Sequence, residues 1–237
     1  MNAYTEQSSY IVAGDRVSFD AAHTTRVINE RHRHLARSTS YPALYPIHAR
    51  RIEALVRLYE DACRECSIDP NVAIAQLCHE TGYLTSWWFL RNNNPAGIGV
   101  TGETSTTMPR SPTRVITLTR VITSGAALIT ITAATWAYDD EARVWRKGLT
   151  FLTWEDAVVA HIGRLTAYAL RKDERTPIQE AYVSLALRFR DLPVSAHGSA
   201  KTLAALGKAK NPSGYGWASP GERYGERIAD IARSFRP

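Results

Sequence analysis

Residues 75–88 read AQLCHETGYLTSWW, and residues 92–99 read NNNPAGIG. Asp69 and Pro70, which precede this stretch, are typical of a helix N-cap followed by proline at the first helical position. The apolar residues that follow continue to Gly82, where a helix would end. The stretch therefore predicts a short, largely buried helix that leads into an aromatic-rich loop.

Glu80 lies near the end of this predicted helix, on the same face as Gln76 and Tyr83 by helical spacing. The macrodipole disfavours a negative charge at a helix C-terminus, and the nearby Trp87 and Trp88 can exclude water. Both effects raise the pKa of a carboxyl. A carboxyl that stays protonated near neutral pH suits a general acid that protonates a departing sugar oxygen. The alternative is a solvated carboxylate at a helix end.

Helical patterns dominate the rest of the chain. Apolar residues recur at steps of three and four from Ile52 to Cys66, which is typical of one buried helix face. Hydroxyl residues followed three positions later by an acid or a glutamine predict further helix starts at Thr153, Thr176 and Ser219.

Two other segments depart from the helical pattern. Residues 87–110 contain so many Gly, Asn and Pro residues that we expect a long loop. Residues 114–123 and 127–137 are rich in Val, Ile and Thr and flank a Ser-Gly pair, which predicts a β-hairpin. This hairpin is the only β-structure that the sequence indicates clearly.

Together these patterns predict an α+β, mainly α-helical fold. We expect an N-terminal extension of undefined order at residues 1–45 and a single domain at residues 46–237. The small β-hairpin lobe would occupy about residues 111–138.

The composition is that of an ordinary folded protein. Hydrophobic residues make up 44% of the chain and charged residues 22%, values that exclude a disordered or membrane-embedded body. The net charge of +6 favours an anionic partner. Because the arginines are scattered and form no recognition-helix pattern, we expect no nucleic-acid partner. The longest apolar stretch, residues 126–136, is too short to span a bilayer, so we expect no membrane insertion.

No metal or other cofactor is expected from the sequence. The histidine before Glu80 would begin a zinc-protease motif, H-E-x-x-H, only if residue 83 were also histidine, and it is Tyr83. Cys63, Cys66 and Cys78 lie on apolar helix faces, where a free cysteine behaves as a small hydrophobic residue. A disulfide framework is therefore not expected either.

These motifs resemble those of the glucosaminidase-type peptidoglycan hydrolases, the family-73 glycoside hydrolases of the lysozyme-like superfamily. The similar segments are Ala75–Gln76, Glu80–Gly82, Ser86, Asn93–Ile98, Phe151–Ala157 and Trp217–Ile228. They follow the family's order over roughly residues 50–237. Thr81 stands where the family usually has Ser, Leu84 replaces a common Gly, and the hairpin matches in position only.

The resemblance implies a lysozyme-like domain that cleaves the glycan strand of peptidoglycan, most simply as an endo-β-N-acetylglucosaminidase. By the same resemblance Glu80 is the catalytic acid, and Tyr224 lines the sugar subsite beside it. The expected substrate-binding residues are Gln76, Ser86, Trp88, Asn93, Asn94, Gly97, Ile98 and Trp217.

A second carboxylate would activate water in an inverting mechanism, or be dispensable if the acetamido group of the substrate assists. The candidates are Asp139 and Asp140, with Glu103 and Glu141 nearby. The alternative is that all four are turn carboxylates.

Three other functions remain open from the sequence. A muramidase or a lytic transglycosylase on the same fold would use one acid, and a non-catalytic cell-wall-binding or virion module would need none. The retained Glu80 argues against the last.

The first 14 residues, MNAYTEQSSYIVAG, lack the basic and apolar regions of a secretory signal. We therefore expect an enzyme of the cell wall, extracellular or periplasmic, that is phage-encoded or exported by another route.

Overall fold

The computed structural model describes residues 5, 11–13, 17–37, 49–110, 113–122 and 125–236, with backbone only before residue 133 in the second and third strands. The α-helices of this part of the chain are α1 Ala21–Ala36, α2 Ala49–Cys66, α3 Pro70–Thr81, α4 Trp87–Asn92, α5 Trp154–Ala169, α6 Pro177–Phe189 and α7 Tyr224–Ser234. The strands are β1 Thr104–Ser105, β2 Thr113–Ile122, β3 Gly125–Asp139 and β4 Val144–Phe151. The α+β, mainly α-helical fold class is confirmed.

The two predicted N-terminal helices of the domain form as expected. On α2 the predicted apolar stripe is buried: Ile52, Leu55, Val56, Tyr59, Ala62, Cys63 and Cys66. The Asp69 side chain caps α3 by accepting a hydrogen bond from the Asn71 N–H at 2.9 Å. Gly82 ends the helix with a φ of +55°, a left-handed conformation that glycine adopts without steric cost. Helix α3 lies against α2 and α7, so its polar side chains meet other core elements.

The predicted caps of α5 and α6 are also confirmed. The Thr153 hydroxyl accepts from the Asp156 N–H at 3.1 Å. Thr176 and Gln179 form a reciprocal capping box. The two helices pack against each other so closely that a Cβ added at Gly163 would lie 2.1 Å from the Tyr182 carbonyl oxygen.

The sheet is antiparallel, with strand order β1-β4-β3-β2. The predicted hairpin is confirmed, and its pairing closes at Ile122 and Gly125. Strand β4 was not predicted, because Arg146, Lys147 and Gly148 interrupt its apolar pattern. Its antiparallel pairing with β3, which contains one register shift between Ala134 and Trp136, supplies the hydrogen bonds that make it a strand.

Two sequence predictions about element boundaries are wrong. The expected loop at residues 87–110 begins with α4, because the Ser86 side chain caps that helix by accepting from the Phe89 N–H. The last helix starts at Tyr224, not at Ser219. Gly221 has a φ of +68°, outside the helical region, so the chain enters the helix only after it.

The N-terminal extension is partly described and contains α1. Ile11 and Ile28 from this region are fully buried in the main hydrophobic core. The His32 ring donates from Nδ1 to the Tyr83 carbonyl oxygen at 3.0 Å, which joins α1 to the turn that follows α3. The predicted boundary between residues 45 and 46 lies outside the described residues and stays a prediction.

Over the described ranges, none of the helices combines the length and the apolar character needed to cross a membrane.

Candidate active site

A cavity of about 380 Å³ lies where the end of α3 meets α5 and the segment before α7. Its lining residues are Glu80, Ser86, Trp88, Asn94, Ala96, Gly97, Ile98, Val100, Arg164, Arg190, Gly216, Trp217 and Ala218. Within this described lining, Glu80 carries the one carboxyl group. The cavity therefore combines a single acid with indole and guanidinium groups.

The Glu80 carboxyl group is largely buried beside the cavity. Burial raises its pKa above the ordinary value, and hydrogen bonds from Tyr224 and Trp217 oppose that increase without cancelling it. The Tyr224 hydroxyl donates to Oε1. The other oxygen, Oε2, lies beside Gly97, where an added Cβ would be 3.5 Å from it. Such a carboxyl retains its proton to higher pH than an exposed one, as a general acid must.

Tyr224 connects α7 to this carboxyl. It is the first residue of α7 and only 6% exposed. The side-chain amide of Gln76 donates to its oxygen at 2.8 Å. Burial, followed by the nearby charge of Glu80, raises the pKa of Tyr224 well above its ordinary value. The phenol therefore stays protonated and donates its one proton to Glu80.

The other predicted substrate-binding residues divide into two groups. Six of the eight line the cavity: Ser86, Trp88, Asn94, Gly97, Ile98 and Trp217. Gln76 is fully buried behind Tyr224. The Asn93 side chain donates to the Phe151 carbonyl oxygen at 2.9 Å, which ties the end of α4 to β4. These two residues therefore contact protein groups in the structure.

Asn94 lines the cavity, but its side chain is occupied by the surrounding backbone. Its amide donates at 2.9 Å to the carbonyl oxygens of Ile98 and Leu149, and its Oδ1 accepts from the Ile98 N–H at 2.9 Å. These bonds hold the 94–98 loop against β4. Asn94 therefore shapes the wall of the cavity that faces Glu80.

The candidate second carboxylates lie elsewhere. Asp139 and Asp140 line a separate cavity of about 270 Å³. The Asp139 side chain is 1% exposed and accepts from Arg146 Nε at 2.7 Å and from the Ala142 N–H at 3.0 Å. Burial opposes its ionisation, but these hydrogen bonds outweigh burial and lower the pKa of Asp139. This arrangement supports the alternative that Asp139 is a turn carboxylate.

Glu103 is likewise engaged outside the Glu80 cavity. It accepts a hydrogen bond from Lys147 Nζ at 2.6 Å, and both side chains are exposed. The pair joins the segment before β1 to β4.

Sequence reasoning did not select Arg164 and Arg190, which line the cavity. Arg164 is 7% exposed, donates to the Arg190 carbonyl oxygen at 2.8 Å, and lies 5.8 Å from the Trp217 ring centroid. It thereby supports the indole beside Glu80. A buried arginine on an apolar helix face was the available signal, but its partners are distant in sequence.

The potential metal ligands are separated or protonated. Cys63, Cys66 and Cys78 are buried free thiols, and burial raises the pKa of Cys63 and Cys78. Within the described part of the chain, no three His, Cys, Asp or Glu side chains form a group that could hold a metal ion.

The described chain is a mainly helical α+β protein in which one carboxyl, that of Glu80, lies beside the phenol of Tyr224 and in a cavity lined by two indoles, an arrangement in which a general acid can act. The chain belongs to the Glucosaminidase family, described as mannosyl-glycoprotein endo-beta-N-acetylglucosaminidase, whose family model matches residues 56–236. The resemblance noted from the sequence motifs is thereby confirmed. At the family level the protein is a hydrolase of peptidoglycan glycan strands that acts on the cell wall. No curated protein and no solved structure matches the chain.

Proposed function

We propose that the protein is an endo-β-N-acetylglucosaminidase that cleaves peptidoglycan glycan strands with Glu80 as the general acid. The observation that carries the proposal is the partly buried Glu80 carboxyl, which accepts a hydrogen bond from Tyr224 on Oε1 and lines the cavity. Its raised pKa supports a protonated resting state.

The substrate would lie between indole groups. Trp88 and Trp217 both line the cavity, and the flat face of an indole packs well on the C–H surface of a pyranose. The Trp88 ring rests directly on β4, where a Cβ added at Gly148 would lie 2.5 Å from Cη2. This support fixes the height of the ring in the cavity.

In the first chemical step, Glu80 donates its proton to the glycosidic oxygen as the bond from that oxygen to the anomeric carbon breaks. The leaving sugar departs with a hydroxyl group. The acetamido oxygen of the remaining N-acetylglucosamine attacks the anomeric carbon and forms a cyclic oxazolinium ion. Glu80 is then a carboxylate.

In the second step a water molecule attacks the anomeric carbon. This attack opens the oxazolinium ring and restores the acetamido group. Glu80 accepts the water proton and returns to its starting state. We favour this acetamido-assisted sequence because Asp139 is bound to Arg146 and, with Asp140, lines a different cavity. Two displacements at one carbon retain its configuration.

Product analysis tests the bond that is cleaved. Purified peptidoglycan is digested, reduced with borohydride and analysed by mass spectrometry. Reduced N-acetylglucosamine ends are expected. Reduced muramic acid ends would instead identify a muramidase, and anhydro-muramic ends a lytic transglycosylase.

Proton NMR tests the order of chemical steps, because it identifies the anomeric configuration of the product when it is first released. Retention is expected from acetamido assistance. Inversion would refute it and would require a carboxylate that activates water.

A further inference from the structure

A chain of buried hydrogen bonds extends from the helical core to Glu80. Tyr59 Oη lies 2.7 Å from His161 Nδ1, and His161 Nε2 lies 3.0 Å from Gln76 Oε1. Gln76 Nε2 donates to Tyr224 Oη at 2.8 Å, and the Tyr224 hydroxyl donates to Glu80 Oε1. Tyr59, Gln76 and His161 are fully buried. The proton positions along this chain are therefore isolated from water.

Tyr59 and His161, the first two groups of this hydrogen-bond chain, each carry a single proton that they can donate. Burial lowers the pKa of His161 to about 3, so its imidazole is neutral and carries one N–H. Burial also raises the pKa of Tyr59 well above the ordinary value, so this phenol stays protonated. When the Tyr59 hydroxyl donates to Nδ1, the imidazole proton is on Nε2.

The direction of the chain depends on the imidazole tautomer. With the proton on Nε2, His161 donates to the Gln76 oxygen, and the Gln76 amide donates to Tyr224. The Tyr224 proton is then free to reach Glu80. With the proton on Nδ1, the Gln76 amide would turn over and donate to His161. Its oxygen would then accept the Tyr224 proton, and Glu80 Oε1 would lose its donor.

We propose that His161 is a positioning residue, which acts through Gln76 and Tyr224 to direct a hydrogen bond onto Glu80 Oε1 and leave the acid proton on Oε2. Oε2 is the oxygen beside Gly97, on the wall of the cavity. The inference deepens the proposed function, since it assigns how the general acid is oriented. His161 itself is fully buried and does not line the described cavity.

Other charged and titratable groups also surround the acid. His79 precedes it on α3, with its ring 5.2 Å from that of Tyr224, and Arg164 and Arg190 line the same cavity. All of these groups are unchanged by substitution at His161. His161 also packs against Trp217, with 5.3 Å between the ring centroids, and Trp217 hydrogen-bonds Glu80. A substitution that keeps a ring at position 161 preserves this packing, so a change in Glu80 titration then reports on the hydrogen-bond chain.

The first test measures the tautomer directly. Nitrogen-15 NMR of the labelled protein distinguishes protonated from unprotonated imidazole nitrogens. We expect His161 to be neutral, with its proton on Nε2, at all near-neutral pH values at which the protein is folded. A proton on Nδ1, or a charged imidazole, would overturn the proposal. This measurement needs no activity, so its outcome is independent of the proposed function.

The second test compares His161→Phe with His161→Gln. Phenylalanine keeps the ring but removes both nitrogens, whereas glutamine can supply an N–H near the Nε2 position. In His161→Phe we expect kcat to fall about tenfold, the order of effect of one lost hydrogen bond, with KM little changed. The pH at which the Glu80 carboxyl titrates, followed by carbon-13 NMR, should rise because the Tyr224 hydrogen bond lowers it. His161→Gln should restore part of both properties.

A matched control is Tyr182→Phe. This substitution removes a different core hydroxyl, which donates to Glu65 Oε2 at 2.6 Å. It leaves every residue of the hydrogen-bond chain from Tyr59 to Glu80 in place. We expect lower stability with unchanged Glu80 titration.

If His161→Phe affects only stability, as the control does, His161 is merely structural and the inference fails. If Glu80 titration moves as expected but the wild type does not cleave peptidoglycan, the hydrogen-bond chain stands and the proposed function fails.

Discussion

Replacing Glu80 by glutamine separates the acid function from every other contribution of this side chain. Glutamine has nearly the same volume, and its Oε1 can still accept the Tyr224 hydrogen bond. An amide nitrogen then takes the place of Oε2 and cannot deliver an acid proton. General acid catalysis contributes roughly 10²- to 10⁴-fold to a rate, so kcat should fall by that factor. The corresponding increase in activation free energy is about 3–5 kcal/mol.

The same substitution should not decrease stability at neutral pH. Burial raises the pKa of Glu80 in the folded protein above its value in the unfolded chain. The folded state therefore holds this proton more tightly, and its stabilising contribution is complete below the unfolded pKa. That contribution is lost as the pH rises to the folded pKa, at about 1.4 kcal/mol for each unit between the two values. Glutamine does not ionise, so the variant should gain stability relative to wild type over this range.

The assays are muropeptide release from purified peptidoglycan and urea denaturation at about pH 4 and pH 7. The control is Glu155→Gln, the same change at an exposed position in the first turn of α5, which should retain activity. Wall cleavage by Glu80→Gln at the wild-type rate would refute the assignment of the acid. A large loss of stability at pH 7 would show instead that the Glu80 carboxylate is a structural group.

Four further outcomes are expected. Tyr224→Phe should lower kcat up to about 100-fold through loss of orientation, with a smaller effect on the melting temperature. In the wild type the Tyr224 hydrogen bond lowers the pKa of Glu80. The variant lacks this bond, so the alkaline limit of its activity should move to higher pH. Asp139→Asn and Asp140→Asn should retain lytic activity in a turbidity assay, although the first should cost about 1–3 kcal/mol of stability in urea titration. A more than hundredfold loss in either would identify a second catalytic carboxylate. Gly148→Ala should displace Trp88 and raise KM about two- to tenfold, the value of one aromatic contact, and an unchanged KM would remove this ring from the substrate site. Activity should survive dialysis against EDTA, and a loss that zinc reverses would contradict the metal-free mechanism.

Local interactions explain what the sequence alone determined. The helix caps at Asp69, Thr153 and Thr176 and the stop at Gly82 depend on residues within a few positions of one another, so they are visible in the sequence. The α2 stripe and the β2–β3 hairpin depend on regular periodicity and a short turn. Glu80 was selected for the same reason, since its helix end and neighbouring aromatic residues are adjacent in the chain.

Tertiary packing decided the rest. Strand β4 forms because β3 offers it hydrogen-bond partners, although its own sequence is interrupted by polar residues. Asp139 has the same carboxyl group as any candidate base, and only the fold shows that it accepts a hydrogen bond from Arg146 across the β3–β4 pairing, in addition to the one from the Ala142 N–H. The hydrogen bonds that orient Glu80 join residues 85, 148 and 144 positions apart in the chain. No local pattern encodes them, because the energy that orders these buried polar groups depends on which partners the folded helices bring within hydrogen-bond distance.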